Sequence, residues 1–204
     1  MSVAHGRAAA FLDRDGVLNE LVPDRASGEP ESPLSVDDVR LIPGAAAAAA
    51  ALARLGLLLV CVSNQPAAAK GRVSVARLLA VHDRVIELLR EQGVELAASR
   101  LCLHHEHGAA PELTGPCDCR KPAPGMLLDG ARSLGIDLGA SWMVGDTDAD
   151  IAAGKAAGCM TLLIRHPGSV HKRLQAIDPD LTADTFTDGA AEILTRMSET
   201  IGLS

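Results

Sequence analysis

Ala8-Ala-Ala-Phe-Leu-Asp-Arg-Asp-Gly16 is a short apolar run that stops abruptly at charge. A run of this length, apolar without alternation, predicts a strand covered on both faces. Such strands belong to parallel sheets flanked by helices. The rest of the chain repeats the pattern, with apolar runs at Leu57 to Val62, Arg100 to Leu103, Trp142 to Val144 and Thr161 to Ile164. Between them lie helix patterns with legible ends. Pro43-Gly44 precedes seven alanines, Leu52 and Leu55, and Gly56 closes the run. Alanine is the best helix former, and glycine suits the position just past a helix end. Ser74 stands where an N-cap belongs, before Val75, Leu78, Leu79, His82, Val85, Ile86 and Leu89 at helical spacing, with Gly93 as the stop. Pro124 to Gly135, residues 148–157 and residues 189–201 predict three more helices, while 22–43 and 104–121 predict loops. Strands alternating with helices predict an α/β fold, a doubly wound, mainly parallel sheet, with residues 1–204 forming one domain.

Composition narrows the function classes. The net charge of -7 opposes phosphate-backbone binding by the whole surface. One Trp, two Phe and no Tyr leave no platform for stacked bases. No nucleic-acid partner is expected. Ala45 to Val60 is the longest apolar-looking stretch, and Arg54 and Gly56 interrupt it, so no membrane span is expected. Met1 to Arg7 carries no apolar run of the leader type, which predicts a cytoplasmic protein. No feature marks an interface between copies, so a monomer is the default expectation.

In doubly wound sheets, ligands bind beyond the carboxyl ends of the strands. The residues there are Asp13-Arg-Asp15-Gly16, Ser63-Asn-Gln65, the Cys/His loop and Gly145-Asp146. Asp13 and Asp15 stand two apart where the chain leaves the first strand; taken alone, they read sooner as a solvated pair in a turn, with Gly16 making the bend. Asp146-Thr-Asp148-Ala-Asp150 has the alternation of a calcium loop, but Ile151 stands where that loop needs Gly and Ala157 where it needs a bidentate Glu. Acidic residues also stabilise a first helical turn, which accounts for Asp148 better than for Asp146. No Gly-x-Gly-x-x-Gly follows the first strand and Gly154-Lys155 is no P-loop, which argues against nucleotide handling by those routes.

Five cysteines are too few for a disulfide scaffold, and three of them crowd one segment with a histidine. Cys102, His104, Cys117 and Cys119 make a complete tetrahedral set for zinc, with no position open for water, so this zinc would be structural. Separate buried thiols and a surface histidine are the lesser alternative. Cys61 and Cys159 read as small core residues. Arg120-Lys121-Pro122 follows directly, and its two cations would balance a phosphate if the loop folds over the site.

Taken together, Phe11-Leu-Asp-Arg-Asp-Gly-Val-Leu-Asn19, Ser63-Asn-Gln65, Cys119-Arg-Lys-Pro122 and Met143-Val-Gly-Asp146 with Asp150 resemble the motifs of the haloacid dehalogenase (HAD) superfamily. The Cys-x-His and Cys-x-Cys pairs before Arg-Lys-Pro resemble its heptose-bisphosphate and histidinol-phosphate phosphatase branch. The resemblance runs from about residue 8 to residue 165. It implies a Rossmann-like HAD core and a Mg²⁺-dependent phosphomonoesterase acting on a small sugar phosphate. The 7-phosphate of heptose 1,7-bisphosphate comes first and histidinol phosphate second. It implies Asp13 as nucleophile and Asp15 as general acid and base. Mg²⁺ would be held by Asp13, the main-chain carbonyl of Asp15, and Asp146, with Asp150 orienting the Asp146 loop. Ser63 and Lys121 would hold phosphate oxygens, with Asn64 and Arg120 near the substrate.

The intervals from Asp15 to Ser63 and from Ser63 to Lys121 are filled by the elements already assigned, so no cap domain fits in either. An open, capless site is expected, walled by the zinc loop and residues 20–35. Three stretches depart from the family pattern. Pro66-Ala-Ala-Ala-Lys-Gly71 replaces the usual Ser-Gly-Ile-Ala-Arg-Gly, residues 20–35 differ, and Thr147 stands where Lys is frequent. All three lie near the expected substrate. The rival from another class is a zinc-binding interaction module without catalysis, against which every acidic and basic position above is filled.

Overall fold

The computed structural model describes residues 6–25, 27–174 and 177–200. Its elements in chain order are β1 (Ala9–Leu12), β2 (Val22–Pro23), β3 (Pro30–Glu31), α1 (Ala45–Arg54), β4 (Leu58–Asn64), α2 (Val75–Glu91), β5 (Ala98–Cys102), α3 (Gly125–Leu134), β6 (Trp142–Gly145), α4 (Asp148–Ala157), β7 (Met160–Ile164), β8 (Leu181–Ala183) and α5 (Phe186–Thr200). The expected end of the last helix at residue 201 and the start of the chain at Met1 lie outside the described residues.

Six strands form one sheet in the order β5-β4-β1-β6-β7-β8. Every pairing in it is parallel. From β1 the chain winds out through β4 to β5, then returns to β6 and winds the other way. The topological switch point therefore falls at β1, where ligand crevices form in such sheets. Leu12 pairs with both Cys61 of β4 and Val144 of β6, so three strand ends open on one place.

Period-two alternation divides the core between the two faces of the sheet. Phe11, Val60, Val62 and Met143 pack with Met126, Leu127 and Ala131 of α3 and Ala153 of α4. Ala10, Leu12, Leu59, Val144 and Leu162 pack with Leu52 of α1, Val81 and Val85 of α2 and Ile193 of α5. Phe11 has no exposed surface, and removing its ring would cost about 3–5 kcal/mol. Close approach explains one glycine in α4: a Cβ at Gly154 would lie 2.6 Å from Cβ of Met143.

Helix ends follow the sequence. The Ser74 hydroxyl accepts from the Arg77 N–H at 3.2 Å and caps α2. Gly135 and Gly158 close α3 and α4 in the left-handed conformation. Two differences stand out. Residues 22–43, expected as loop, hold the antiparallel β2–β3 hairpin and a 3-10 turn at Val36–Asp38. β8, pairing with β7 at Leu162↔Leu181, lengthens the sheet beyond the expected strands. Among the described residues no separate cap unit is present, and no helix is long and apolar enough to cross a membrane.

Candidate active site

The ends of β1, β4 and β6 surround a cleft of about 350 Å³. Asp13, Asp15, Ser63, Asn64, Arg120, Lys121, Asp146 and Asp150, all expected at the site, line it. β4 runs two residues further than expected and carries Ser63 and Asn64 as its last members.

Asp13 leaves β1 with its N–H donating to O of Val144 at 2.9 Å, which pins the turn against β6. Its Oδ1 accepts from Nζ of Lys121 at 2.8 Å. The same ammonium donates to O of Val62 at 2.7 Å and lies 2.6 Å from Oδ1 of Asp150. Burial pushes the Asp13 carboxyl up to about 6, although Lys121 pulls the other way. Burial works against the charge on Lys121 too, but Asp13 and Asp150 hold its proton on more tightly than usual.

Asp150 serves two structures at once. Its Oδ2 accepts from N and Oγ1 of Thr147 at 3.0 and 2.6 Å, closing a capping box at the start of α4. Its Oδ1 faces Lys121. The acidic helix start and the functional cluster are thus one feature.

Asp15 is turned elsewhere. Its carboxylate accepts from Nε and Nη2 of Arg14, the latter at 2.7 Å, from Nδ2 of Asn19 at 3.0 Å and from Nε2 of Gln65 at 2.7 Å. Burial would raise its pKa, but Arg14, with help from Ser32 and Gln65, holds it below the usual carboxylate value. Arg14 itself has no exposed surface. Asn64 spends its amide on the main chain of Lys121, donating to O at 2.9 Å and accepting from N at 3.1 Å. It fixes the lysine in place.

Asp13, Asp146 and Asp150 each bring a carboxylate oxygen to within 4.8 Å of one another. Three carboxylates face one ammonium there. Asp146 Oδ2 accepts from the Ser169 hydroxyl, whereas its Oδ1 is buried without a hydrogen-bond partner. Burial, then Asp13 and Asp150, raise the Asp146 carboxyl well above the usual value. A buried bare oxygen amid excess negative charge fits a hard divalent cation such as Mg²⁺, which takes one or two carboxylates and keeps positions for phosphate oxygens. Gly16 (φ +91°) makes room: a Cβ there would overlap the Asp146 carboxylate.

Cys102, at the end of β5, meets His104, Cys117 and Cys119 in a second cluster. The sulfurs of Cys119 and Cys102 are 3.1 Å apart, those of Cys119 and Cys117 3.4 Å, and those of Cys102 and Cys117 3.7 Å. Nδ1 of His104 lies 3.5 Å from Cys119 Sγ. Sulfurs on one tetrahedral zinc sit about 3.8 Å apart, given Zn–S bonds of about 2.3 Å, so the set fits that ion with small adjustments. The cluster adjoins Arg120, whose Nη1 donates to O of His104 at 3.3 Å.

Several lining or supporting residues were not singled out from sequence. Arg14, Asn19 and Gln65 surround Asp15; only their place inside the quoted motifs hinted at them. Leu21, Glu31 and Ser32, at the hairpin, and Lys70 and Lys172 line the cleft. Lys172 Nζ donates to Glu31 Oε2 at 2.8 Å, tying the hairpin to the turn at Pro167–Lys172.

A HAD-hydrolase-like family model matches residues 118–189. A D-glycero-beta-D-manno-heptose-1,7-bisphosphate 7-phosphatase of Rhodopseudomonas palustris is 38% identical over 152 residues, 74% of this chain and 80% of that protein. One of Vibrio cholerae is 39% identical over 163 residues, 79% of this chain and 83% of that protein. The solved D,D-heptose 1,7-bisphosphate phosphatase from B. bronchiseptica, in complex with magnesium and phosphate, superposes with a TM-score of 0.75 at 28% identity, covering 92% of this chain and 99% of that one.

Proposed function

We infer the reaction from the family to which this chain belongs, the HAD-like D-glycero-beta-D-manno-heptose-1,7-bisphosphate 7-phosphatases. It is a phosphoric monoester hydrolase, and its substrate is D-glycero-D-manno-heptose 1,7-bisphosphate, cleaved at the 7-phosphate. The observation that supports this most is the buried group of Asp13, Lys121 and Asp146, with one Asp146 oxygen bare.

Asp13 is the nucleophile. Its carboxylate attacks phosphorus, the bond to the sugar oxygen breaks, and an aspartyl-phosphate forms. Dividing the hydrolysis this way replaces one hard step by two easier ones. Lys121 holds Asp13 in place and offsets the repulsion between a carboxylate and a phosphate dianion. Ser63 and Lys121 bind phosphate oxygens, and Arg120 reaches the sugar portion from the cysteine loop.

Asp15 supplies the proton to the departing sugar oxygen. It then takes one from the water that attacks the aspartyl-phosphate, which frees phosphate and restores the Asp13 carboxylate. An alkoxide is a poor leaving group, hence the need for an acid. Delivering that proton requires Asp15 to exchange its bonds to Arg14 and Gln65 for one to the leaving oxygen. Asp13, Asp146 and the carbonyl of Asp15 would hold Mg²⁺, which when bound neutralises charge on the transferring phosphoryl group. Cys102, His104, Cys117 and Cys119 would hold a structural zinc that shapes the loop carrying Arg120 and Lys121. The protein works as a soluble enzyme of the cytoplasm on a small phosphorylated sugar.

Phosphate release by the purified chain with Mg²⁺, on heptose 1,7-bisphosphate and on histidinol phosphate, tests this reading. A kcat/KM preference of about 100-fold for the heptose, about 2.7 kcal/mol in transition-state binding, is expected. The reverse preference would reassign the substrate, and turnover by Asp13→Asn would overturn the mechanism.

A further inference from the structure

The turn Pro167–Lys172, which follows β7, and the residue after it grip Asp146 at two points. Ser169, fully buried, donates its hydroxyl to Oδ2 of Asp146. Arg173, just beyond the turn, donates through Nη1 to the main-chain O of Asp146 at 3.1 Å and to O of His166 at 3.0 Å. The N–H of Ser169 donates to that same His166 carbonyl at 3.1 Å, so serine and arginine share one anchor.

The consequence for Asp146 is asymmetric. Oδ2 lies between the Ser169 hydroxyl and Gly16, where not even a Cβ would fit. Oδ1 is equally buried and has no hydrogen-bond partner. A carboxylate pinned through one oxygen presents the other in a fixed direction, and metal sites gain affinity when a ligand is oriented this way before the ion arrives. None of the motifs that resemble the family includes Ser169. It lies 23 residues beyond Asp146 in the chain.

We propose that Ser169 is a positioning residue that seats the Asp146 carboxylate for the divalent cation. This rests on the metal reading given above. Ser169 is not among the residues that line the cleft. It acts through Asp146, and its loss leaves that carboxylate free to turn toward Lys121 or the Arg173 side of the loop.

Calorimetric titration of the full, metal-free chain with Mg²⁺ separates the possibilities, using wild type, Ser169→Ala, Asp146→Asn and Ser141→Ala. Ser141 is a buried serine at the other end of β6, where its hydroxyl accepts from N of Ala9 at 2.9 Å. Ser169→Ala is expected to raise the Kd for Mg²⁺ about 10- to 100-fold. Its metal-free melting temperature should stay within about 4 °C of wild type. An unchanged Kd in Ser169→Ala, with binding lost in Asp146→Asn, overturns the proposal and leaves the metal reading standing. Undiminished binding by Asp146→Asn overturns both. An equal rise in Ser141→Ala assigns the effect to general packing and also overturns the proposal. If Ser169→Ala does not fold, Ser169→Cys, which keeps the volume with a weaker donor, is judged by the same Kd criterion.

Discussion

Nζ of Lys121 lies 2.8 Å from Oδ1 of Asp13, and both side chains are buried. Neither charge would be stable there alone, because burying an unpaired ion costs several kcal/mol. The pair is assembled from residues 108 positions apart by the adjacency of β1 and β4, with Asn64 gripping the lysine main chain.

Replacing Lys121 by Met removes the ammonium from both Asp13 and Asp150. The carboxylates that remain repel one another in a buried place, so a loss of about 3–5 kcal/mol is expected. Phosphate release should fall by about 10²–10³-fold in kcat/KM, the scale for losing one preorganised electrostatic contact. Thermal melting and steady-state kinetics check the two halves separately. A variant with near-normal kcat/KM would remove Lys121 from the reaction.

The Asp13 carboxyl is pushed up to about 6 by burial, and Asp146 is raised as well. For a group whose folded pKa lies above its unfolded one, the stabilisation is complete below the unfolded value and is lost as pH rises through the folded one. In the metal-free protein, then, Asp13 weakens the fold progressively between about pH 4 and pH 6. Mg²⁺ competes with those protons and offsets the repulsion above them. The rise in melting temperature caused by saturating Mg²⁺ should be larger near neutrality than at about pH 5, since protons then occupy the site. An equal rise at both pH values would mean the ion binds away from these carboxylates.

Removing the proposed zinc should act on the cysteine loop first. Cys102 and Cys119 are raised by burial, so without a metal they are neutral thiols that cannot anchor the loop by charge. The loop carries Arg120 and leads directly into Lys121. Metal analysis should find about one zinc per chain, and Cys117→Ser should lower both zinc content and melting temperature. KM for the sugar phosphate should rise more than kcat falls, because Asp13 and Asp146 sit on the sheet and Lys121 keeps its bonds to Asn64. Full zinc content in Cys117→Ser would exclude that residue as a ligand.

Much of this was legible in the sequence, for definite reasons. β1, β4 and β6 are covered on both faces and read as apolar runs up to Leu12, Val62 and Val144; the polar residues just beyond, Asp13, Ser63-Asn64 and Asp146, are where the cleft opens. Cys102, His104, Cys117 and Cys119 stood out because that combination has few other uses in a short loop. The β2–β3 hairpin was hidden because its strands are two residues each and carry Pro23 and Pro30, which signal a loop. β8 has three residues, too few to show a period. The role of Gln65 within its motif, and Ser169, were out of reach for another reason. Their hydrogen bonds to Asp15 and Asp146 span 50 and 23 residues, and nothing local marks a glutamine or a serine as the partner of a distant carboxylate.

Arg14 is the buried counter-ion of Asp15, and Arg14→Met should show its value through pH. Asp15 has a folded pKa below its ordinary value. Its stabilisation is therefore present above the unfolded pKa and is lost as pH falls through the folded one. Without the guanidinium, burial dominates and the carboxylate becomes a liability at neutral pH. The variant should lose about 3–5 kcal/mol near pH 7, on the order of 10 °C in melting temperature for a chain of this size. The deficit should begin to shrink as pH falls from neutrality through the raised Asp15 pKa of the variant, and go on shrinking toward the lowered wild-type value, because protonation removes the buried charge. A deficit independent of pH would point to lost packing of the arginine stem instead.

Two glycines with similar backbones should respond differently to alanine. Gly16 has φ +91° and Gly56 φ +95°, both in the left-handed region that disfavours a Cβ. A Cβ at Gly56 would meet nothing within 4 Å, whereas one at Gly16 would overlap the Asp146 carboxylate. Gly56→Ala should cost only the backbone strain, about 1–2 kcal/mol, and leave phosphate release unchanged. Gly16→Ala carries the same strain and must also displace Asp146, the carboxylate with one bare oxygen in the acidic cluster. Its Kd for Mg²⁺ should rise at least about 10-fold and its kcat/KM should fall in parallel, beyond anything its melting temperature explains. Equal activity in the two variants would mean that Asp146 tolerates displacement, and its place as a metal ligand would fall with that result.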